Sequence, residues 1–236
     1  MVVIILPTKN ESESIRETID RIRSVCSDQI VVVDGHSTDG TADIAREMGV
    51  QVIFDNNKGK GDALRVAFDY VDDDVLFLDA DGTYPVEQIP EFIDALEGCD
   101  VVIGERVEFT DGSLPLLLRI GDRASRTMFR MLYGARLDNL SGFRGISRDA
   151  ISRMRLESDG FGIETEITAK AVRLGLRIKK IPIAYLVRRG RSKFSPVRDG
   201  VAVVCAMVRY RFWGTENQML ICRKTKGMKR DSDEHR

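Results

Sequence analysis

Asp79 and Asp81 stand one residue apart where an apolar run, Val75 to Leu78, meets Gly82. Side chains two apart leave a strand on one side, and a turn at the glycine lets both carboxylates converge on one hard cation that also holds phosphates. Without a cation the two charges repel each other. A solvated loop is the plainer alternative, and the apolar run before it argues against that. Two other strings are dense in hydrogen-bond acceptors. Pro7-Thr8-Lys9-Asn10-Glu11-Ser12-Glu13 turns out of an apolar run into a helix. Its backbone amides and a carboxylate can grip a base and a ribose, or it serves only as a helix cap at Ser12. Asp34-Gly35-His36-Ser37-Thr38-Asp39-Gly40-Thr41 reads either as a binding turn or as a cap in which Asp39 or Thr41 starts the next helix. The loop from Asp55 to Ala63 has two lysines, Lys58 and Lys60, but no Ser or Thr after either, so it is no ATP-binding P-loop.

These strings need a scaffold that gathers them. Apolar runs at Val2–Leu6, Gln29–Asp34, Val50–Asp55, Val75–Asp79 and Asp100–Gly104 alternate with helical patterns near 12–25, 41–48, 59–71 and 85–96. Runs without in/out alternation, separated by helices, predict parallel strands covered on both faces: a doubly wound α/β sheet. Ligands of such sheets sit at the carboxyl ends of the strands, where the polar strings fall. The second half predicts helices near 115–133, 162–174 and 197–213, with short strands at Ser141–Ser147 and Arg177–Pro182. Arg119, Arg123 and Arg126, spaced i, i+4, i+7, share one face of the first helix.

The 236 residues are 43% hydrophobic and 31% charged, which excludes collagen-like or wholly disordered chains and predicts a single domain over 1–222. The tail 223–236 has no apolar pattern and reads as basic and disordered. Four cysteines form no CxxC pair and there are only two histidines, so no structural zinc site is expected and a reducing, cytoplasmic setting is. The N-terminus lacks a positively charged segment before its apolar run, unlike a signal peptide, and no run is long enough to span a bilayer. A net charge of −1 hides an asymmetry: residues 1–113 carry −16 and residues 114–236 carry +15. The basic half implies an anionic partner. It shows no aromatic-basic stacking motif, so nucleic acid is not expected.

In order and spacing, the strings LPTKNE (6–11), VVVDGHSTDGT (31–41), NKGKGDAL (57–64), DADGTYP (79–85), SGFRG (141–145), GFGIETEI (160–167) and RRGRSKFS (188–195) resemble the family 2 glycosyltransferases of GT-A fold. The resemblance is closer to the polyprenyl-phosphate sugar synthases of the dolichyl-phosphate mannose synthase type. It implies a nucleotide-sugar half, 1–113, and an acceptor half, 114–222. Pro7, Glu11, Asp34, Asp39 and Asp79 would contact the nucleotide, with Lys58 or Lys60 near its diphosphate. Asp79 and Asp81 would hold a divalent metal, Mg²⁺ or Mn²⁺. Where mannose synthases often carry a Gln metal ligand, this chain has Thr83, and DGTYP is reminiscent of relatives that use UDP donors rather than GDP-mannose.

The implied reaction is metal-dependent, inverting transfer of a hexose from a UDP- or GDP-sugar to a polyprenyl (dolichyl) phosphate. Asp81 and Glu164 would be catalytic; Glu166, two residues on along a helix, cannot face the same way as Glu164. The acceptor phosphate would meet Arg119, Arg123, Ser141, Arg144, Arg189, Arg191 and Lys193. Such an acceptor implies peripheral attachment to the cytoplasmic face of a membrane through the 201–213 stripe and the basic tail, or through a membrane partner subunit. The alternatives are a glycosyltransferase acting on a soluble phosphorylated acceptor and a nucleotidyltransferase.

Overall fold

The computed structural model describes residues 1–190 and 192–213. Among them, β1 (Val2–Thr8), β2 (Gln29–Asp34), β3 (Gln51–Phe54), β4 (Asp74–Phe77), β5 (Val101–Phe109), β6 (Arg144–Ile146) and β7 (Ile178–Tyr185) form one sheet, ordered β3-β2-β1-β4-β6-β5-β7. The first four strands are mutually parallel. Their side chains alternate between two cores. Ile4, Leu6 and Val32 pack with Ile15, Ile19 and Ile22 of α1 (Ile15–Val25), Ala45 of α2 (Thr41–Glu47) and Phe92 of α4 (Ile89–Leu96). Val3, Ile5 and Val31 pack on the other face with Leu64 of α3 (Lys60–Tyr70) and, further along the chain, with Ile151, Ile163 and Ile167. Two buried faces explain why these strands read as unbroken apolar runs.

Three features depart from the sequence expectation. β6 runs antiparallel to both β4 and β5, because α5 (Leu116–Tyr133) returns the chain into the gap between them. β5 and β7 outrun their apolar cores, pairing from Val101–Ile178 to Phe109–Tyr185 across a bulge at Arg106/Glu108. A helix unforeseen in the sequence, α6 (Arg148–Met154), starts where the Ser147 hydroxyl accepts the Ala150 amide at 3.2 Å.

The last two helices, α7 (Ile163–Arg173) and α8 (Pro196–Arg211), pack with α5 through Phe129, Ala169, Val203, Met207 and Tyr210. The 201–213 stripe is thus divided, with Val201, Val204, Val208 and Phe212 exposed. No helix among the described residues is long and apolar enough to cross a membrane. The basic tail, 223–236, lies outside the described residues.

The strand order reverses between β1 and β4, so the loops after β1, β2 and β4 open on one crevice. α3 is pressed against the segment before α7: the Asp62 amide donates to the Asp159 carbonyl at 2.9 Å. A Cβ on Gly61 would fall well inside contact distance of the Ser158 carbonyl oxygen.

Candidate active site

The loop after β4 holds the carboxylate pair. Asp81 is 1% exposed, and its Oδ1 accepts the Thr83 amide at 3.0 Å and the Thr83 hydroxyl at 2.5 Å. Thr83, fully buried, therefore orients Asp81. Asp81 Oδ2 is buried, accepts no aligned hydrogen bond, and lies against the Arg188 guanidinium. Burial first, and then the neighbouring Asp79, push the Asp81 carboxyl above its ordinary value, with Arg188 opposing them. Asp79 Oδ1 meets Lys60 Nζ at 2.5 Å, and the same ammonium reaches Glu164 Oε1 at 2.6 Å. Burial alone would lower the Lys60 pKa, but Asp79 and Glu164 together raise it, so the side chain stays charged.

No three His, Cys, Asp or Glu side chains converge as a metal cage among the described residues. A two-carboxylate site suits Mg²⁺ or Mn²⁺ that keeps some waters and takes its other ligands from substrate phosphates. Asp81 Oδ2, which accepts no aligned hydrogen bond and already faces a cation, Arg188, fits that use.

Gly142 forms the wall beside this pair. Its amide donates to the Tyr84 hydroxyl at 2.6 Å, and a Cβ there would sit 2.8 Å from both Asp79 Oδ2 and Lys60 Nζ. Gly142→Ala is expected to displace both groups and cut turnover by about 100-fold, while the melting temperature moves by only a few degrees. Wild-type turnover in that variant would show that the two groups need not sit where they do.

Of the residues expected around the nucleotide, Asp34 and Asp39 spend their acceptors on the chain itself. Asp34, fully buried, takes the Ser37 amide and hydroxyl, each at 2.7 Å, and the Thr8 hydroxyl at 3.2 Å. Asp39 takes the Thr41 hydroxyl at 2.5 Å and the Ser12 amide at 3.0 Å. These bonds outweigh its burial and lower its pKa to about 2. The two carboxylates thus tie the loops after β1 and β2 together. Glu11 differs: Oε1 receives Lys193 at 2.6 Å, while Oε2 is buried without a hydrogen-bond partner. Pro7, half-buried, lies one residue before the end of β1. Lys58 is exposed, so of the two lysines in that loop it is Lys60 that reaches the carboxylates.

The residues expected to hold the acceptor phosphate separate into distinct settings. Arg144 requires correction: it is fully buried and donates to the Ser141 carbonyl at 2.7 Å, the Thr168 hydroxyl at 2.7 Å and the Asp138 carbonyl at 3.0 Å. Burial lowers its pKa to about 10 against the pull of Glu164 and Asp138. Ser141 is buried with it, and its hydroxyl accepts the Phe143 amide at 3.4 Å. Both shape the turn into β6 instead of opening onto an acceptor. Arg126 is also committed, to Asp122 at 2.8 Å and Asp138 at 2.7 Å, in a network shared with buried Arg106. Arg119 stacks on Phe109, and with exposed Arg123 it borders a separate groove of about 1020 Å³ along α5. Cations do reach the carboxylates from the segment after β7. Arg188 contacts Asp81 and Glu11, Lys193 contacts Glu11, and Arg189 pairs with Glu17 while its amide donates to the Asp81 carbonyl at 2.9 Å. Arg191 lies outside the described residues.

α7 separates its two glutamates. Glu164 faces Lys60, whereas fully buried Glu166 pairs with Lys170 at 2.6 Å and accepts the Glu157 and Ser158 amides at 2.9 and 2.8 Å. Tyr84, Gly142 and the Lys60 bridge were not singled out from sequence. Each lies within a quoted string, but its role depends on a partner far along the chain.

Residues 3–155 match the family described as Glycosyl transferase family 2. The chain is 37% identical over 215 residues to the glycosyltransferase AglJ of Haloferax volcanii, covering 88% of this chain and 71% of that one. It is 32% identical to the dolichyl-phosphate hexose transferase of the same organism, covering 87% and 92%. Among solved structures, glucosyl-3-phosphoglycerate synthase from Mycobacterium tuberculosis, in complex with Mn²⁺, UDP-glucose and phosphoglyceric acid, superposes with a TM-score of 0.74. It is 24% identical, with 89% of this chain and 79% of that one covered, and it has also been solved with Mg²⁺ and UDP. An apolar, mostly parallel sheet with a carboxylate pair at its switch point, and a family match over most of that sheet, lead to one conclusion: this chain belongs to the family 2 glycosyltransferases and has their GT-A fold.

Proposed function

We propose that the protein transfers a hexose from a UDP-sugar to a soluble phosphorylated acceptor. The observation that carries this is the meeting of Asp79, Asp81 and Glu164 with Lys60 and Arg188 at one crevice, joined through Glu11 to Lys193, carboxylates for a cation beside cations for anions. This replaces the polyprenyl-phosphate acceptor expected from sequence. That expectation is corrected by the solved structures of the same fold, in which UDP-glucose is accompanied by phosphoglyceric acid. The membrane attachment inferred from a lipid acceptor loses that basis with it.

In this reading Asp79 and Asp81 hold the divalent cation, which when bound neutralises charge on the departing diphosphate. The acceptor's hydroxyl oxygen bonds to the anomeric carbon as the bond from that carbon to the diphosphate breaks. Glu164, held in place by Lys60, takes the hydroxyl proton, and Lys60 keeps positive charge beside the crevice throughout. Arg188 and Lys193 bind the acceptor's phosphate by charge-assisted hydrogen bonds.

The test sets UDP- and GDP-hexoses with Mn²⁺ against phosphoglycerate, other small phosphorylated alcohols and a short prenyl phosphate, with product read by mass. A glycosylated soluble phosphoester and UDP are the expected products. Transfer to the prenyl phosphate alone would overturn the reading, and release of pyrophosphate would indicate nucleotidyl transfer instead.

A further inference from the structure

Asp81 has one oxygen to offer a cation, since Thr83 occupies Oδ1 with two hydrogen bonds. The other, Oδ2, already faces the Arg188 guanidinium. A divalent ion and a guanidinium cannot share that oxygen, because two cations in a buried site repel strongly. We propose that Arg188 is the resident counter-ion of Asp81 and that the metal binds by displacing it. The inference rests on Asp79 and Asp81 being the metal-binding pair of the proposed function.

The local structure suits an exchange by side-chain rotation alone. The backbone around Arg188 is pinned to the carboxylate loop on both sides, by the Leu186 amide on the Thr83 carbonyl and the Arg189 amide on the Asp81 carbonyl, each at 2.9 Å. The segment therefore does not have to open. A second anchor is already in reach, since Arg188 Nη1 lies 3.5 Å from Glu11 Oε1. Asp81 is almost wholly buried beside Asp79, and a pair of like charges so placed is costly without a cation. Arg188 thus stabilises the metal-free site, and the displaced guanidinium stays at the crevice, facing the anionic groups of bound substrates. Positioning by Arg188 therefore makes metal binding weak until the nucleotide contributes its phosphates.

The test measures Mn²⁺ binding to the full chain by electron paramagnetic resonance of the free ion, with and without UDP. Without UDP, Arg188→Gln is expected to bind Mn²⁺ about tenfold more tightly than wild type. Lys193→Gln, which alters the contact to Glu11 and not to Asp81, should change that affinity less than about threefold. Thermal melts confirm that both variants fold. Unchanged or weaker binding in Arg188→Gln overturns the proposal, as do equal shifts in the two variants, which would indicate only the general field of the basic segment. Absence of Mn²⁺ binding to wild type even with UDP would overturn the metal assignment and the proposal together. Tighter binding in Arg188→Gln, with no soluble phosphorylated acceptor glycosylated by the wild type, would support the counter-ion while removing the proposed acceptor.

Discussion

Asp81→Asn is expected to lose more than about 100-fold in glycosyl transfer and still fold, because it removes charge from the proposed metal-binding pair but no volume from the core. Asn keeps an oxygen for the Thr83 amide and hydroxyl, so the loop that presents it stays tied down. Stability should change with a definite sign. The Asp81 carboxyl is held above its ordinary value, chiefly by burial and then by Asp79. Ionising it therefore costs the metal-free fold at every pH above that raised value, and the cost disappears as pH falls below the ordinary value of 3.8. Metal-free Asp81→Asn, which has no such cost, should gain on wild type as pH rises through that window. The checks are turnover with saturating Mn²⁺ and melting curves across pH. Near-wild-type turnover would rule out the proposed metal-binding role of Asp81.

Lys170→Met is expected to destabilise the fold by about 3–5 kcal/mol, the cost of leaving a buried charge without its partner. Glu166 and Lys170 are both fully buried, 2.6 Å apart, and the ammonium also donates to the Arg155 carbonyl at 2.8 Å. Its remaining surface faces the rings of Tyr210 and Trp213, with centroids 4.8 and 4.6 Å away. Glu166 meanwhile holds the amides of Glu157 and Ser158, so the pair fixes the segment against which Gly61 is packed. At this chain length the melting temperature should fall by roughly 10 °C. Glu166→Gln/Lys170→Met should recover part of the loss, since removing both charges leaves none stranded. Urea unfolding of the single and double variants decides it: a loss under about 1 kcal/mol in Lys170→Met would mean that water or a rearranged side chain neutralises Glu166.

Much of the donor side was legible in the chain. The apolar runs predicted the parallel strands, because a strand covered on both faces has no polar side to show. Asp79 and Asp81 were marked by their spacing at a strand mouth, and the family by the order of seven short strings. The limits of that legibility are equally specific. Arg144 is an arginine beside a glycine-rich turn, which on sequence alone suits a phosphate as well as it suits a core. Only the return of the chain as β6 surrounds it with the Asp138 and Ser141 carbonyls and the Thr168 hydroxyl.

The same holds for Lys60, whose two carboxylate partners are 19 and 104 residues further along the chain. Thr83 is more local, yet its role follows from which Asp81 oxygen it takes, leaving the other for Arg188. Periodicity and spacing are short-range properties, set by strand and helix geometry, and the sequence therefore determined the strands, their covered faces and the paired aspartates. Which charge meets which depends on where distant segments return to the sheet. The tertiary structure alone decided that Lys60 joins Asp79 to Glu164, that Glu166 belongs to the core, and that an arginine rests against Asp81.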